Sequence, residues 1–421
     1  MYKYKRQVKL VLFIWSINMI IITIGDFFPK FTWLLNLRGV LNICIILSLL
    51  KYLKKIDIIS KIILFFVAYL FTLTLFSSNF SLSVSMVSKT SIALMTYVLG
   101  YQFFKTNQGF SKLTVYYKYL YILLLGTMIF SNLTGLGRGG YGDDIEASES
   151  VMYGSMGVAI SRLFVTIIII SPIFIYQIKK KRIQNQTILA VFIIIIITLL
   201  ANKRSVTLGL VFAAAIYGLL VERKIIIKYI FYIFLLTVAT LPLYKDLLNS
   251  SYETRSGQYY FVSDSSDNMI KEGRYWETLS VIDAMVNDNI SHFFFGSEIF
   301  NEFDYFNTER MLHIDYNTIL NGSGVFGLSL FLLIYFKLIT KGIFYYRTVN
   351  NKYLKLVSIS VIALSVCLVF ISIGGTIRNV DYAGPIYLYL GAALGYLENE
   401  KLRFRHINQI ENLNKKIKEI N

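Results

Sequence analysis

Residues 353–373 read YLKLVSISVIALSVCLVFISI. Apart from Lys355 near its start, nothing in this run is more polar than serine, and no Pro or Gly interrupts it. A helix of this length covers the roughly 30 Å hydrocarbon core of a bilayer. In lipid such a segment must be helical, because only a helix satisfies every backbone N–H and C=O within one segment.

Comparable runs recur on both sides of it. Apolar stretches lie at 10–28, 32–50, 61–78, 83–104, 115–134, 163–178, 186–201, 205–221, 226–243, 315–337, 353–373 and 383–397. The chain is 55% hydrophobic and 16% charged, with a mean hydropathy of +0.57, well outside the range of soluble globular domains. These features predict an all-α polytopic membrane protein with about twelve transmembrane helices. They exclude a soluble enzyme, and two cysteines, Cys44 and Cys367, both inside apolar runs, exclude a disulfide scaffold. Met1 to Lys9 is basic, but the apolar run after it is too long for a cleavable signal and reads as a retained first helix.

Charge tests the count independently. Lys3, Lys5, Arg6 and Lys9 precede the first run, and Lys51, Lys54 and Lys55 follow the second. Lys179, Lys180, Lys181 and Arg182 follow the sixth, Arg223, Lys224 and Lys228 the eighth, and Lys337, Lys341, Arg347, Lys352 and Lys355 border the tenth and eleventh. All fall on one side, which the positive-inside rule makes cytoplasmic, together with both termini. The net charge of +17 is thereby explained by topology and anionic lipid, and no nucleic-acid partner is expected.

The other side is acidic. Tyr244 to Leu312 holds 12 of the chain's 25 Asp and Glu residues against five Lys or Arg. It is the longest polar segment, and the apolar spacing of Trp276, Leu279, Ile282 and Val286 predicts a short helix lying across the membrane surface. The expected organisation is residues 1–243 as nine membrane helices, 244–312 as a large extracytoplasmic loop, 313–397 as three further helices and 398–421 as a basic cytoplasmic tail.

Cations on the acidic side have no topological reason to be there. Lys203 and Arg204 form a basic turn in ANKRS, and an anionic ligand would explain them, since guanidinium groups bind phosphate oxygens in bidentate fashion. Snorkelling to lipid phosphates is the alternative. Arg162, Arg274 in EGRYW and Arg378 in GGTIRN each read as a ligand contact or as a headgroup or carboxylate partner. His313 in HIDYN stands at the outer mouth of the tenth run, where imidazole can act as a general base; Asp315 is the rival base. Gly322, Gly324 and Gly327 follow and permit close helix approach. His292 and His406 read as a packed loop residue and an inert tail residue. No metal-ligand pattern and no ATP-binding glycine loop occurs, so neither metal nor cofactor is expected.

The basic turn between two spans, the Gly-Arg before an aromatic-rich helix, and His313 eleven residues before Gly324, with Gly327 completing a Gly-x-x-Gly pair, resemble the O-antigen polymerase and ligase superfamily of bacterial envelopes, including Wzy-type polymerases. That resemblance implies a GT-C-like, metal-independent glycosyltransferase acting on glycans carried by undecaprenyl diphosphate at the outer face of the inner membrane. It implies that Lys203, Arg204 and Arg274 hold the diphosphate, that Arg162 and Arg378 contact substrate, and that His313 or Asp315 deprotonates the acceptor. A chain-length regulator and a flippase are the protein partners it implies. A ligase of the same superfamily, or a lipid-linked oligosaccharide flippase, are the alternatives.

Overall fold

A computed structural model describes residues 5–28, 39–43, 46–47, 56–134, 160–178, 180–200, 204–221, 273–287, 289–300, 312, 314–375 and 380–420. Among these the secondary structure is helical, without a strand. The helices are α1 (Lys5–Phe27), α2 (Ile58–Thr74), α3 (Phe80–Phe103), α4 (Asn107–Thr134), α5 (Ile160–Gln177), α6 (Lys181–Leu200), α7 (Arg204–Leu220), α8 (Gly273–Asn287), α9 (Ile290–Phe295), α10 (Asp315–Thr348), α11 (Lys352–Ile371) and α12 (Val380–Ile420). Five of them, α1, α3, α4, α10 and α11, are long and apolar enough to cross a membrane, and α2, α5 and α7 contain shorter apolar helices. The chain is an all-α membrane protein. The run expected at 226–243, most of that at 32–50, and residues 244–272, 288 and 301–311 of the expected loop lie outside the described residues.

The centre of the bundle is the pair α3–α12. Between Tyr382 and Leu397, α12 is buried nearly all round, the pattern of a helix enclosed by other helices. The two axes approach closely because glycines on each helix face the main chain of the other. A Cβ on Gly391 would strike the carbonyl oxygen of Tyr97, one on Gly395 that of Tyr101, and one on Gly100 that of Leu388. Small residues at helix spacing let backbones meet where apolar burial alone cannot drive association in lipid. The Thr96 hydroxyl donates to the Gly384 carbonyl at 2.8 Å across the same seam.

A polar cluster ties four helices at one end of this pair. Asp57 caps α2, accepting from the Ser60 N–H at 2.9 Å and from the Tyr97 hydroxyl at 3.1 Å. Lys341 on α10 lies 3.4 Å from Asp57 and 4.0 Å from Glu398 on α12. The Tyr101 hydroxyl donates to Glu398 at 2.6 Å.

The run expected at 315–337 is not one straight helix. Gly324, at φ 65° and ψ −173°, breaks α10 into residues 315–323 and 325–348. In a straight helix Tyr316 and Phe331 would be about 22 Å apart along the axis, yet their ring centroids are 6.1 Å apart. Tyr316 donates to the Val369 carbonyl at 2.6 Å, and the Tyr335 hydroxyl bonds that of Ser372 at 2.9 Å, so both halves reach the same end of α11. The chain doubles back at Gly324. The tip is held from two sides: Tyr69 of α2 donates to the Ser323 carbonyl at 2.8 Å, and the Ser297 N–H after α9 donates to the Asn321 carbonyl at 2.9 Å.

Candidate functional site

The doubling back of α10 brings Tyr316, its second residue, to the end of α11, and Asp315 before it is buried at 2% exposure. The N-cap residue of α10 is Ile314, which has no side chain able to cap. A carboxylate from another helix supplies the function. Glu277 on α8 accepts the Ile314 N–H at 3.0 Å and the Asn317 amide at 3.4 Å, while Asn317 also donates to the Thr278 hydroxyl at 2.9 Å. A negative group at a helix N-terminus is stabilised by the orphan N–H groups and the macrodipole there, which offsets the cost of burying Glu277.

Apolar packing continues the contact. Val281 and Met285, one and two turns beyond Glu277, pack with Leu312, Leu320 and Val325. The helix read from the sequence is therefore present as α8, but it docks on the bundle through Glu277, Val281 and Met285. Leu279, Ile282 and Val286, the stripe singled out by apolar spacing, remain exposed. The helix has two usable faces, and the hydrogen bonds of Glu277 select the one that meets α10.

The same end of the molecule gathers other elements. α7 runs along α11 and touches the short turn Ser372–Gly374, with Phe212 stacked on Phe370 at 4.2 Å between ring centroids. Arg204 is the first residue of α7, Arg274 stands three residues before Glu277 on α8, and Arg162 lies in the first turn of α5. The backbone positions of these three arginines belong to the structure; their side chains lie outside the described residues, as do Lys203, His313 and Arg378 altogether. Among the expected site residues, Asp315 is the one whose side chain is described. The chain neighbours of His313, Leu312 and Ile314, both contact α8 residues.

Glu277 is the residue that the sequence reading missed. Its signal is a single carboxylate on the spacing Glu277, Val281, Met285, an acid in an otherwise apolar face, which marks a buried polar contact. Among the described residues no three His, Cys, Asp or Glu side chains are grouped to hold a metal ion. What the arrangement can do is bring two buried carboxylates, Glu277 and Asp315, to the head of one helix, with Arg274 three residues before Glu277 on the docked helix. No protein-family model matches the chain, and no curated protein matches it in sequence.

Proposed function

We propose that the protein is a polysaccharide polymerase of the Wzy type. It transfers a growing glycan from undecaprenyl diphosphate to the sugar of another lipid-linked repeat unit. Twelve spans place both termini in the cytoplasm of a bacterial cell, and residues 244–312 form the extracytoplasmic loop at the outer face of the inner membrane. The observation that carries the reading is the docking of α8, the helix of Arg274, onto the head of α10 through Glu277 and Ile314 at 3.0 Å. It supports a site in which an arginine of the loop and a base of the tenth helix act on one substrate.

In this reading Arg204, with Lys203, and Arg274 hold the diphosphate, and Arg162 and Arg378 contact the substrate. The acceptor hydroxyl oxygen attacks the anomeric carbon, the carbon–oxygen bond to phosphate breaks, and undecaprenyl diphosphate leaves with the electron pair. His313 or Asp315 takes the acceptor proton. Charge stabilisation of the leaving diphosphate is the larger contribution, because negative charge develops there in the transition state. A ligase differs in its acceptor and would use the same groups.

A second reading, a flippase for the lipid-linked unit, is favoured by the break at Gly324, since interrupted helices line the sites of many transporters. Glycan length separates the readings. Deletion of the gene, complemented by wild type, Arg204→Ala, Arg274→Ala or His313→Ala at matched membrane levels, is followed on a gel of surface polysaccharide. A polymerase leaves single repeat units on deletion, and the arginine variants fail to restore the ladder. Long chains retained on undecaprenyl diphosphate indicate a ligase, and unpolymerised units held on the cytoplasmic face indicate a flippase.

A further inference from the structure

α12 runs from Val380 to Ile420 as one helix of 41 residues. At 1.5 Å per residue it is about 61 Å long, roughly twice a bilayer core. Its first part is the centre of the bundle, with Ile386, Leu388, Tyr389 and Leu390 fully buried. Past Glu400 the character changes: Leu402, Phe404, Ile407 and Ile410 are exposed, at 58%, 44%, 39% and 45%. The helix has left the bundle, and among the described residues these apolar side chains stand largely open.

The sequence beyond has a period. Ile410, Leu413, Ile417 and Ile420 follow one another by three, four and three residues, the a and d spacing of a coiled coil. Glu411, Lys415, Lys418 and Glu419 fall at outer positions of that heptad. At the flanking positions, Gln409 of one strand would meet Asn414 of a parallel second strand, so no like charges oppose pairing.

We propose that residues 407–420 pair with the same segment of a second copy of this chain as a short parallel coiled coil. The direction of the helix selects this occupant over lipid. A basic amphipathic helix binds a membrane by lying in its surface, whereas this segment continues the axis of a helix that passes through the bundle, without a break at which to turn. Two copies held in one membrane present their segments parallel and at matching height. Tethering makes the pairing effectively intramolecular and compensates for a seam of only two heptads. The symmetry is a two-fold axis along the membrane normal, the commonest closed arrangement.

The test uses the full chain in native membranes, with Cys44→Ala and Cys367→Ala to remove its own thiols. Under mild oxidation Leu413→Cys, in the seam, forms a disulfide-linked species of twice the monomer mass. Lys415→Cys, at an outer position of the heptad, does so at least tenfold less. Equal yields at the two positions, no product at Leu413→Cys, or a product of another mass overturns the proposal. In detergent, light scattering of the purified wild type gives two copies, and Ile410→Asp with Ile417→Asp gives one. Two copies retained in that variant, or a single copy in the wild type, also overturns it.

Discussion

The ammonium of Lys341 on α10 lies 3.4 Å from the carboxylate of Asp57 at the head of α2, joining residues 284 apart in sequence. The Asp57 side chain is 2% exposed and that of Lys341 25%, so the pair is shielded on the acid side. Glu398 lies 4.0 Å from the same ammonium and binds Tyr101 and Tyr345 as well. One cation thus serves two carboxylates where α2, α3, α10 and α12 converge.

Lys341→Met leaves Asp57 buried without its cation, and breaking such a pair costs about 3–5 kcal/mol. The lower end is expected, because the Ser60 N–H and the Tyr97 hydroxyl still donate to Asp57. Combining it with Asp57→Asn removes the stranded charge and recovers most of the loss. Thermal unfolding of the purified variants in detergent measures both; a double variant no more stable than the single one contradicts the pairing.

Glu277→Ala removes the acceptor for Ile314 N–H. A hydrogen bond to a charged group contributes about 1.5–3 kcal/mol, roughly a ten- to hundredfold change in the docking equilibrium of α8. Limited proteolysis within 244–312 accelerates accordingly, and under the proposed polymerase function the surface glycan shortens. Glu277→Gln retains an acceptor oxygen and falls between. Unchanged proteolysis in Glu277→Ala would mean that apolar packing by Val281 and Met285 suffices.

Gly324→Ala places a side chain at φ 65° and ψ −173°, a region open essentially to glycine alone, at a cost of about 1–3 kcal/mol. The new Cβ would also meet the main chain of Phe294 and Phe295. The expected result is a lower unfolding midpoint, together with loss of the Tyr316–Phe331 contact, which a crosslink between Cys residues at 316 and 331 reads directly.

Gly391→Ala and Gly126→Ala separate packing from helix propensity. At Gly391 a Cβ strikes the Tyr97 carbonyl, whereas at Gly126 nothing lies within 4 Å. The first should destabilise by about 1–3 kcal/mol through overpacking. The second should be neutral or stabilising by up to about 1 kcal/mol, the helix preference for Ala over Gly. Equal effects on the unfolding midpoint would contradict the close α3–α12 seam.

The sequence alone determined the helical class and the rough positions of α1 to α7 and α10 to α12. Apolar runs of bilayer length admit only helices in lipid, and that constraint acts within each segment, needing no knowledge of its neighbours. The helices extend past the apolar runs, α1 starting at Lys5 and α10 ending at Thr348, because polar residues at a membrane surface can continue a helix that hydropathy does not register. It also marked Asp315 and the glycines after it as unusual.

Only the tertiary structure decided what those residues do. Gly324 reads in sequence as one of three glycines permitting close approach; its positive φ follows from the seating of Phe294 and Phe295 against it. The burial of Asp315 depends on that turn, and the choice of face on α8 depends on a hydrogen bond from the Ile314 N–H to the carboxylate of Glu277, 37 residues away. Apolar periodicity reports which side chains leave water. It carries no information on which of two apolar faces meets which helix, since that is settled by hydrogen-bond donors and acceptors, here a side-chain carboxylate and a main-chain N–H, brought together from distant parts of the chain.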